Sequence, residues 1–379
     1  MLQTAIKMLL NDRSKYLLLV SVLAFSTFLI TQQIAIFFGV MLRTTSTLNN
    51  IRAPIWVVDP NVVHIAGVVP IKDTDLTRVA SVQGVSTATP LYYARHQVKL
   101  NNGKLSTMEI FGVETATLTG APATMIEGDI KSLWQPNGII VDQYGLKLLS
   151  KASKKNIKIN DTISIRYQEL KIVGICKVNS LSFFGDPIGY TTYETAKKIS
   201  NSNRTLSFIL VTPMTNINIA DLTKKITEET GLLAYTHKEL LWSTMIWYCR
   251  NTVIPIAIAT TVAIGIIVGI AVAGQTFYAF ITENLDSIGA LKAMGINNRL
   301  LCLMLILQAI TVGSLGYGIG VGFATLFGFY ALQHLTIPYH LPYIVPFVIF
   351  FAILCICMTA AWIGIRKINR LTVAEVFRT

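Results

Sequence analysis

Four long apolar stretches are the feature that most limits what this chain can fold into. They occupy about residues 16–42, 252–280, 300–330 and 341–365. A helix needs about 20 apolar residues to cross a hydrocarbon core of roughly 30 Å. Each stretch is long enough, so the sequence predicts four transmembrane helices in contact with the lipid bilayer. About 200 residues of ordinary polar sequence separate the first stretch from the other three. We therefore predict an extramembrane domain over 43–251, inserted between the first helix and the rest.

The basic residues predict the orientation of these helices in the membrane. Lys7, Arg13 and Lys15 precede the first stretch, Arg366 and Lys367 follow the last, and the loop 331–340 has no Lys or Arg. Basic residues are enriched in cytoplasmic loops. We expect both termini and the loop 281–299 to lie in the cytoplasm. The domain then faces outward, and the cytoplasmic ends are a short amphipathic helix at 1–15 and a tail at 366–379.

The net charge of +12 does not indicate a nucleic-acid partner. Between residues 43 and 250 there are 23 Lys and Arg against 16 Asp and Glu. These charges are scattered along the segment rather than gathered into a basic stripe with interleaved aromatic residues. The domain is also predicted to face outward, so we expect no nucleic acid to bind there.

The pattern of the polar segment predicts an α+β domain. Short runs rich in β-branched residues alternate with short amphipathic runs, which is typical of mixed strands and helices. Asn102-Gly103 between two such runs predicts a β-hairpin. The stretch from 236 to 251 carries Trp242, Trp247 and Tyr248. It is interpreted as an aromatic belt at the outer interface, or else as a helix packed under the domain.

Small residues recur at helical spacing in the predicted spans. Such residues let two helix backbones approach closely. We therefore predict helix packing, within one subunit or across a dimer, at Gly265, Gly269, Gly316, Gly318, Gly320 and Gly322. The alternating glycines of the third span do not indicate a dinucleotide loop, because no strand precedes them and they lie inside an apolar run.

The sequence lacks the usual motifs of catalysis and of metal binding. There is no phosphate-binding Gly-x-x-x-x-Gly-Lys-Ser/Thr run, so the chain is not expected to hydrolyse ATP. The five histidines are dispersed and have no ligand-spaced Cys or carboxylate beside them. The spans carry almost no ionisable residues, which disfavours an ion-coupled transporter. We predict a non-catalytic chain with no metal and no cofactor of its own, which transmits force from a separate motor.

The loop after the second span carries the most specific motif. From Glu283 to Gly295 it reads ENLDSIGALKAMG. It resembles the signature E-x-x-x-x-I-G-x-L-K-A-x-G of the FtsX-like permease family, which includes MacB, LolC/LolE and DevC. In that family the run forms a coupling helix that docks into an ATPase subunit. The resemblance therefore implies an ATPase-docking role for Glu283, Asp286, Ile288, Gly289, Leu291, Lys292, Met294 and Gly295.

The resemblance extends over essentially the whole length. Residues 371–378 resemble the C-terminal tail of the family, and short runs at 82–85, 127–129, 160–162 and 172–175 occur in the order found in the MacB periplasmic core domain. The sequence contains no ATPase motif, and its one-plus-three layout is most similar to that of DevC.

The family resemblance implies the permease subunit of a mechanotransmission-type ABC transporter in the bacterial inner membrane, with its large domain in the periplasm. Its implied partners are an ABC ATPase that holds the ATP and magnesium, a second permease copy in a homodimer and, if it works as DevC does, a membrane-fusion protein with an outer-membrane channel. Neither the substrate nor any residue that binds it follows from the sequence.

Three alternative functions stay open at this point. One is a lipoprotein-releasing permease like LolC/LolE, which would form a heterodimer. Another is a regulator of cell-wall hydrolases like FtsX, which transports nothing. The third is a sensor or an enzyme anchored in the membrane, which would have no ATPase partner.

Overall fold

The computed structural model describes residues 13–200, 204–283, 297–334 and 337–370. The predicted amphipathic helix at 1–15 lies outside these residues up to position 12, and so does the tail from 371. The chain forms two compact units. One is Met41–Thr252, and the other contains the chain on either side of it. The predicted domain boundaries, 43–251, differ from the first unit by only one or two residues at each end.

The helices and strands follow one another in a simple order. The helices are α1 (Arg13–Thr44), α2 (Ser46–Asn50), α3 (Asp73–Ala80), α4 (Gln143–Ser153), α5 (Tyr193–Ser200), α6 (Ile219–Thr230), α7 (His237–Asn251), α8 (Ile254–Glu283), α9 (Asn298–His334) and α10 (Ile344–Arg370). The strands are β1 (Ile55–Val58), β2 (Val85–Lys99), β3 (Leu105–Val113), β4 (Thr124–Glu127), β5 (Gly138–Asp142), β6 (Thr162–Ile165), β7 (Gln168–Lys177), β8 (Ile188–Thr192), β9 (Phe208–Pro213) and β10 (Leu233–Thr236).

Four helices, α1, α8, α9 and α10, are long and apolar enough to cross a membrane. Their apolar segments are Tyr16–Thr44, Ile254–Thr276, Arg299–Gln333 and Ile344–Trp362. The prediction of one span, an inserted domain and three further spans is confirmed. α1 has 32 residues, which at about 1.5 Å each makes it longer than a bilayer core is thick.

The four helices pack around a common apolar core. Leu23 of α1, Ala273 of α8, Val312 of α9 and Ile353 of α10 are all buried in it. The segment before α10 returns to α1, since the backbone N–H of His340 donates to the carbonyl of Ala35 at 3.0 Å. These contacts close the bundle within a single chain.

The external unit is built on a ten-stranded sheet that β2 divides into two parts. β10, β1 and β9 form an antiparallel group that pairs with the first half of β2. The second half of β2 pairs with β3 and β6, and β8, β5, β7 and β4 continue the sheet beyond β3. Parallel pairs occur only in this second part, between β3 and β8 and between β5 and β7. The α+β prediction is confirmed.

The apolar core of the external unit lies on both faces of this sheet. Trp56, Phe111, Tyr190 and Phe208 are fully buried and belong to one cluster, in which the Trp56 and Phe208 rings meet edge to face with centroids 5.7 Å apart. Each aromatic side chain of this size buries about 150–250 Å² of surface, so these four residues contribute strongly to the stability of the core.

Candidate functional site

The predicted coupling segment falls mostly outside the described residues. α8 ends at Glu283, the first residue of the motif. The remaining seven predicted docking residues, Asp286, Ile288, Gly289, Leu291, Lys292, Met294 and Gly295, lie in the gap between 283 and 297. Their ATPase-docking role stays a prediction.

Gly316 and Gly320 lie where α9 crosses α1. A Cβ atom added to Gly316 would lie 2.7 Å from the Cβ of Leu23, and one added to Gly320 would lie 2.5 Å from the carbonyl oxygen of Ala24. Carbon atoms in good contact are about 3.5–4.0 Å apart. Only a residue without a side chain fits at these two positions, one helical turn apart, so α1 and α9 approach backbone to backbone.

Gly265 and Gly269 lie on the face of α8 that meets α1. An added Cβ on Gly265 would come 3.4 Å from Ile30, which is ordinary contact, and one on Gly269 would come 3.1 Å from Ser26 Oγ. The Ser26 side chain is 1% exposed, and its hydroxyl has no hydrogen-bond partner among the described residues. The sequence reasoning did not single out Ser26, because one serine in an apolar run carries no signal of its position in the bundle.

Gly318 and Gly322 point away from the bundle. An added Cβ on either would meet nothing within 4 Å in the described part of the chain. The predicted set of six glycines therefore divides into four that face α1 and two that do not. For Gly318 and Gly322, packing across a dimer stays a prediction.

An apolar groove of about 610 Å³ lies between α1 and α9, beside the same crossing. Phe25, Phe28, Phe323 and Phe327 are among its lining residues, and Ser21 is its only polar one. Hydrocarbon is the chemistry that fits such a lining, since it offers no partner for a charge.

Two segments join the external unit to the apolar helices, and we call them its attachments. The first attachment, residues 42–50, is bonded to the rest of the unit through the side chain of Asn50. This residue ends α2 and is 3% exposed. Its Oδ1 accepts from the backbone N–H groups of Asn179 and Ser180 at 2.8 and 2.9 Å, and its Nδ2 donates to the Ser180 carbonyl at 2.7 Å. Sequence reasoning missed Asn50, because asparagine beside a span is typical of an exposed turn.

The second attachment is α7, the helix that directly precedes α8 in the chain. A capping box starts the helix: Thr236 Oγ1 accepts from the N–H of Glu239, and the Glu239 carboxylate accepts from the N–H of Thr236. Leu240, Thr244 and Tyr248 form its buried face, one turn apart.

The two interpretations of the aromatic residues in this helix apply to different side chains. Tyr248 is buried in the external unit, and Trp247 stacks on His64 with ring centroids 3.8 Å apart. Trp242, by contrast, is 62% exposed. Packing under the domain therefore describes Trp247 and Tyr248, and a belt position stays a prediction for Trp242.

Asp142 and Glu109 are the two most buried carboxyl groups among the described residues of the external unit, and both have structural partners. Asp142 begins α4, and its oxygens accept from the N–H groups of Gly145 at 2.7 Å and Ile188 at 2.6 Å. Burial raises the pKa of Asp142 to about 6, although these N–H groups act in the opposite direction. Burial also raises the pKa of Glu109, whose Oε1 accepts from Ser182 Oγ at 2.8 Å.

The Glu109–Ser182 pair does not have the exposure of an active site. Glu109 is 2% exposed and Ser182 is fully buried, so a substrate would not reach either group. No group of three or more His, Cys, Asp or Glu side chains could hold a metal ion within the part of the chain that the structure describes.

Two family models match the chain. The MacB-like periplasmic core domain matches residues 17–229, which is more than half of the 379 residues. The C-terminal domain of FtsX-like permeases matches residues 258–373, a range that includes the coupling segment and three of the spans. The chain belongs to the MacB/FtsX-like permease family. Its members are permease components of ABC transporters, and the predicted family is confirmed.

Solved structures similar to this permease come from several bacteria. The periplasmic region of MacB from Actinobacillus actinomycetemcomitans is 14% identical, with a TM-score of 0.38, over 52% of this chain and 92% of that one. The extracellular domain of the noncanonic ABC-type transporter YknZ from Gram-positive bacteria is 11% identical, with a TM-score of 0.36, over 48% and 99%. A domain of a putative permease from Porphyromonas gingivalis is 14% identical, with a TM-score of 0.32, over 48% and 88%.

Comparison with curated protein sequences found no match. The closeness to DevC therefore stays a prediction. The family and the four apolar helices together make this permease a multi-pass inner-membrane protein with an extracytoplasmic domain.

Proposed function

We propose that this permease couples ATP hydrolysis by a separate ABC ATPase to movement of its periplasmic domain, and that this movement expels a substrate. The observation that supports this proposal is the position of the coupling motif directly at the end of α8. The motif begins at Glu283, the last residue of the apolar helix α8. It lies inside the range that matches the FtsX-like permease C-terminal domain. A partner that grips this loop would act directly on the end of a membrane-spanning helix.

The external unit has the attachments that such a mechanism needs. Asn50 bonds the end of α2 to backbone within the unit, and the buried face of α7 packs into the same unit. A rigid domain held at both of its chain ends follows a displacement of those ends as a body, whereas a loosely held one absorbs it.

The proposal includes the orientation and the partners that the sequence predicts. Both termini and the coupling loop face the cytoplasm, where the ATPase and its nucleotide are found. Two copies of the permease assemble with two ATPase subunits, and a membrane-fusion protein with an outer-membrane channel would complete an export path.

The coupling segment is tested by placing a charge in it. Leu291→Glu and Gly289→Glu are each expected to abolish co-purification of the ATPase with the full-length permease and to remove the stimulation of its ATPase activity, because a docked apolar surface does not accept an unpaired carboxylate. Leu105→Glu is the matched control, since Leu105 lies in the external unit and is 64% exposed.

Unchanged co-purification and unchanged stimulation in both coupling-segment variants would contradict the proposed function. An effect of the Leu105→Glu control equal to theirs would also contradict it, because the loss would then not be specific to the coupling segment.

A further inference from the structure

One loop of the external unit contacts both of the unit's attachments and its sheet. We call it the bridging loop, residues 178–187, between β7 and β8. On the side of the first attachment it makes the three hydrogen bonds to Asn50 described above, two donated by its backbone N–H groups and one accepted by the Ser180 carbonyl. Two more bonds add to these: Ser180 Oγ donates to the carbonyl of Leu42 at 3.0 Å, and Asn179 Nδ2 donates to the carbonyl of Asn49 at 2.9 Å.

The same loop reaches the second attachment through an aromatic contact. The Phe183 ring lies 5.4 Å from the ring of Tyr248, centroid to centroid. Tyr248 is 8% exposed and belongs to the buried face of α7. Aromatic rings at this separation attract each other beyond the effect of the apolar area they bury.

The middle and end of the loop are bonded to the sheet. Ser182 donates to the buried carboxylate of Glu109 on β3. Arg95 of β2 bonds Asp186 through Nε at 3.0 Å, and its guanidinium also lies 4.2 Å from the centroid of the Phe184 ring. These bonds leave the loop little freedom to move without the strands beneath it.

The two attachments also touch each other directly. Met41 Sδ and Cys249 Sγ are 3.8 Å apart. This contact between sulfur atoms is weak. The bridging loop, by comparison, makes five hydrogen bonds to the segment 42–50 and one ring contact to α7.

We propose that the bridging loop positions the two attachments relative to each other and to the sheet, so that a displacement of either one is passed to the other through residues Asn50, Ser182 and Phe183. The functional part of this inference rests on the proposed function, because the ATPase would supply the displacement. The structural part, a loop that couples α2 to α7, does not depend on it.

Hydrogen–deuterium exchange on the full-length permease tests the structural part in both directions. Asn50→Ala removes a buried side chain and leaves its partners unpaired, which is expected to raise exchange by roughly 5- to 150-fold. This increase is expected in the bridging loop and also in α7. Phe183→Ala is expected to raise exchange in α7 and also around Asn50.

Three controls make the result specific. Asn102→Ala removes an asparagine that bonds the Ala152 carbonyl in another part of the unit. Tyr167→Ala removes an aromatic ring outside the bridging loop that is 100% exposed. Both are expected to leave α2 and α7 unchanged. Met41→Ala removes the direct contact between the attachments and is expected to change exchange in α7 less than Asn50→Ala does.

The inference fails if Phe183→Ala leaves the α2 region unchanged, or if Met41→Ala affects α7 as strongly as Asn50→Ala does. In the second case the direct contact would be the route. If Asn50→Ala does not fold, Ser182→Ala replaces it as the test, with the same expectation for both attachments.

A second measurement separates this inference from the proposed function. With the ATPase present, Phe183→Ala is expected to keep ATPase binding and hydrolysis and to lose at least tenfold in transport. Equal transport by this variant and the native permease would overturn the functional part. Absence of any ATPase partner would contradict the proposed function but leave the exchange result, and the structural part, standing.

Discussion

The glycines of α9 provide a comparison within one helix. Gly316 and Gly320 face α1 at distances that exclude a Cβ atom, whereas Gly318 and Gly322 face open space. We predict that Gly316→Ala and Gly320→Ala destabilise the bundle, and that Gly318→Ala and Gly322→Ala do not. All four positions lie within one helix, so the intrinsic gain of replacing glycine by alanine, about 1 kcal/mol, is common to them.

The expected size follows from the distances. A Cβ at Gly320 would lie 2.5 Å from the Ala24 carbonyl oxygen, and one at Gly316 2.7 Å from Leu23 Cβ. The neighbouring atoms are backbone or the first side-chain carbon, which do not rotate away. α1 and α9 would therefore separate by about 1 Å, which forfeits a quarter to a half of the dispersion energy at each contact. Overpacking of this kind costs about 1–3 kcal/mol.

Thiol labelling during unfolding measures this difference in the bundle itself. Cys357 of α10 is 1% exposed and reacts only when the bundle opens, whereas Cys249 of α7 is exposed outside the spans and reports the intrinsic rate. With denaturing detergent as the titrant and mass spectrometry as the readout, the midpoint for Cys357 labelling is expected to fall for the first two variants. It is expected to stay equal or rise for the other two.

Two results would refute the reasoning. One is an equal shift in all four variants, which would mean that the substitutions act on the helix and not on its packing. The other is a larger loss at Gly318 or Gly322 than at Gly316 or Gly320.

Two further predictions concern the external unit. Asp142→Ala is expected to lower the free energy of unfolding in urea by about 2–4 kcal/mol, because it removes the cap of α4 and leaves the buried N–H of Ile188 unpaired. Asp129→Ala, which removes an exposed cap, should lower it by less than about 1 kcal/mol. Equal losses in the two variants would contradict the effect of burial. The His96 ring lies 2.7 Å from the Tyr92 hydroxyl, and burial lowers the pKa of His96. Its contribution to the stability of the unit is therefore complete above the unfolded pKa of about 6.5. That contribution is lost as the pH falls through the pKa of the folded state. His96→Gln should therefore flatten the fall in melting temperature between pH 7.5 and pH 5, and an unchanged slope would contradict this assignment.

The spans and several short elements follow directly from the sequence. The hairpin predicted at Asn102-Gly103 is present, because an Asn-Gly turn between two strand-like runs is a local signal. β8 was not predicted. Its second residue is a glycine and it pairs in parallel with β3, and a parallel partner distant in sequence leaves no local pattern.

In the candidate site, too, local motifs could be predicted from the sequence and contacts between distant segments could not. The coupling motif is a contiguous run, so its sequence alone identifies it. Asn50 and the bridging loop are about 130 residues apart in the chain, and each is unremarkable on its own. Division of the α9 glycines by helix face required the positions of α1, which no spacing within α9 contains.

Strand β2 has a consequence for how the external unit moves. Leu91 pairs with Phe208 in the first part of the sheet, and the next residue, Tyr92, pairs with Gly112 in the second. One continuous strand of 15 residues therefore belongs to both parts of the sheet. A hinge between the two parts would have to break ladder hydrogen bonds of this strand, so we expect the two parts of the sheet to move as one body. A displacement of one part is then passed to the other.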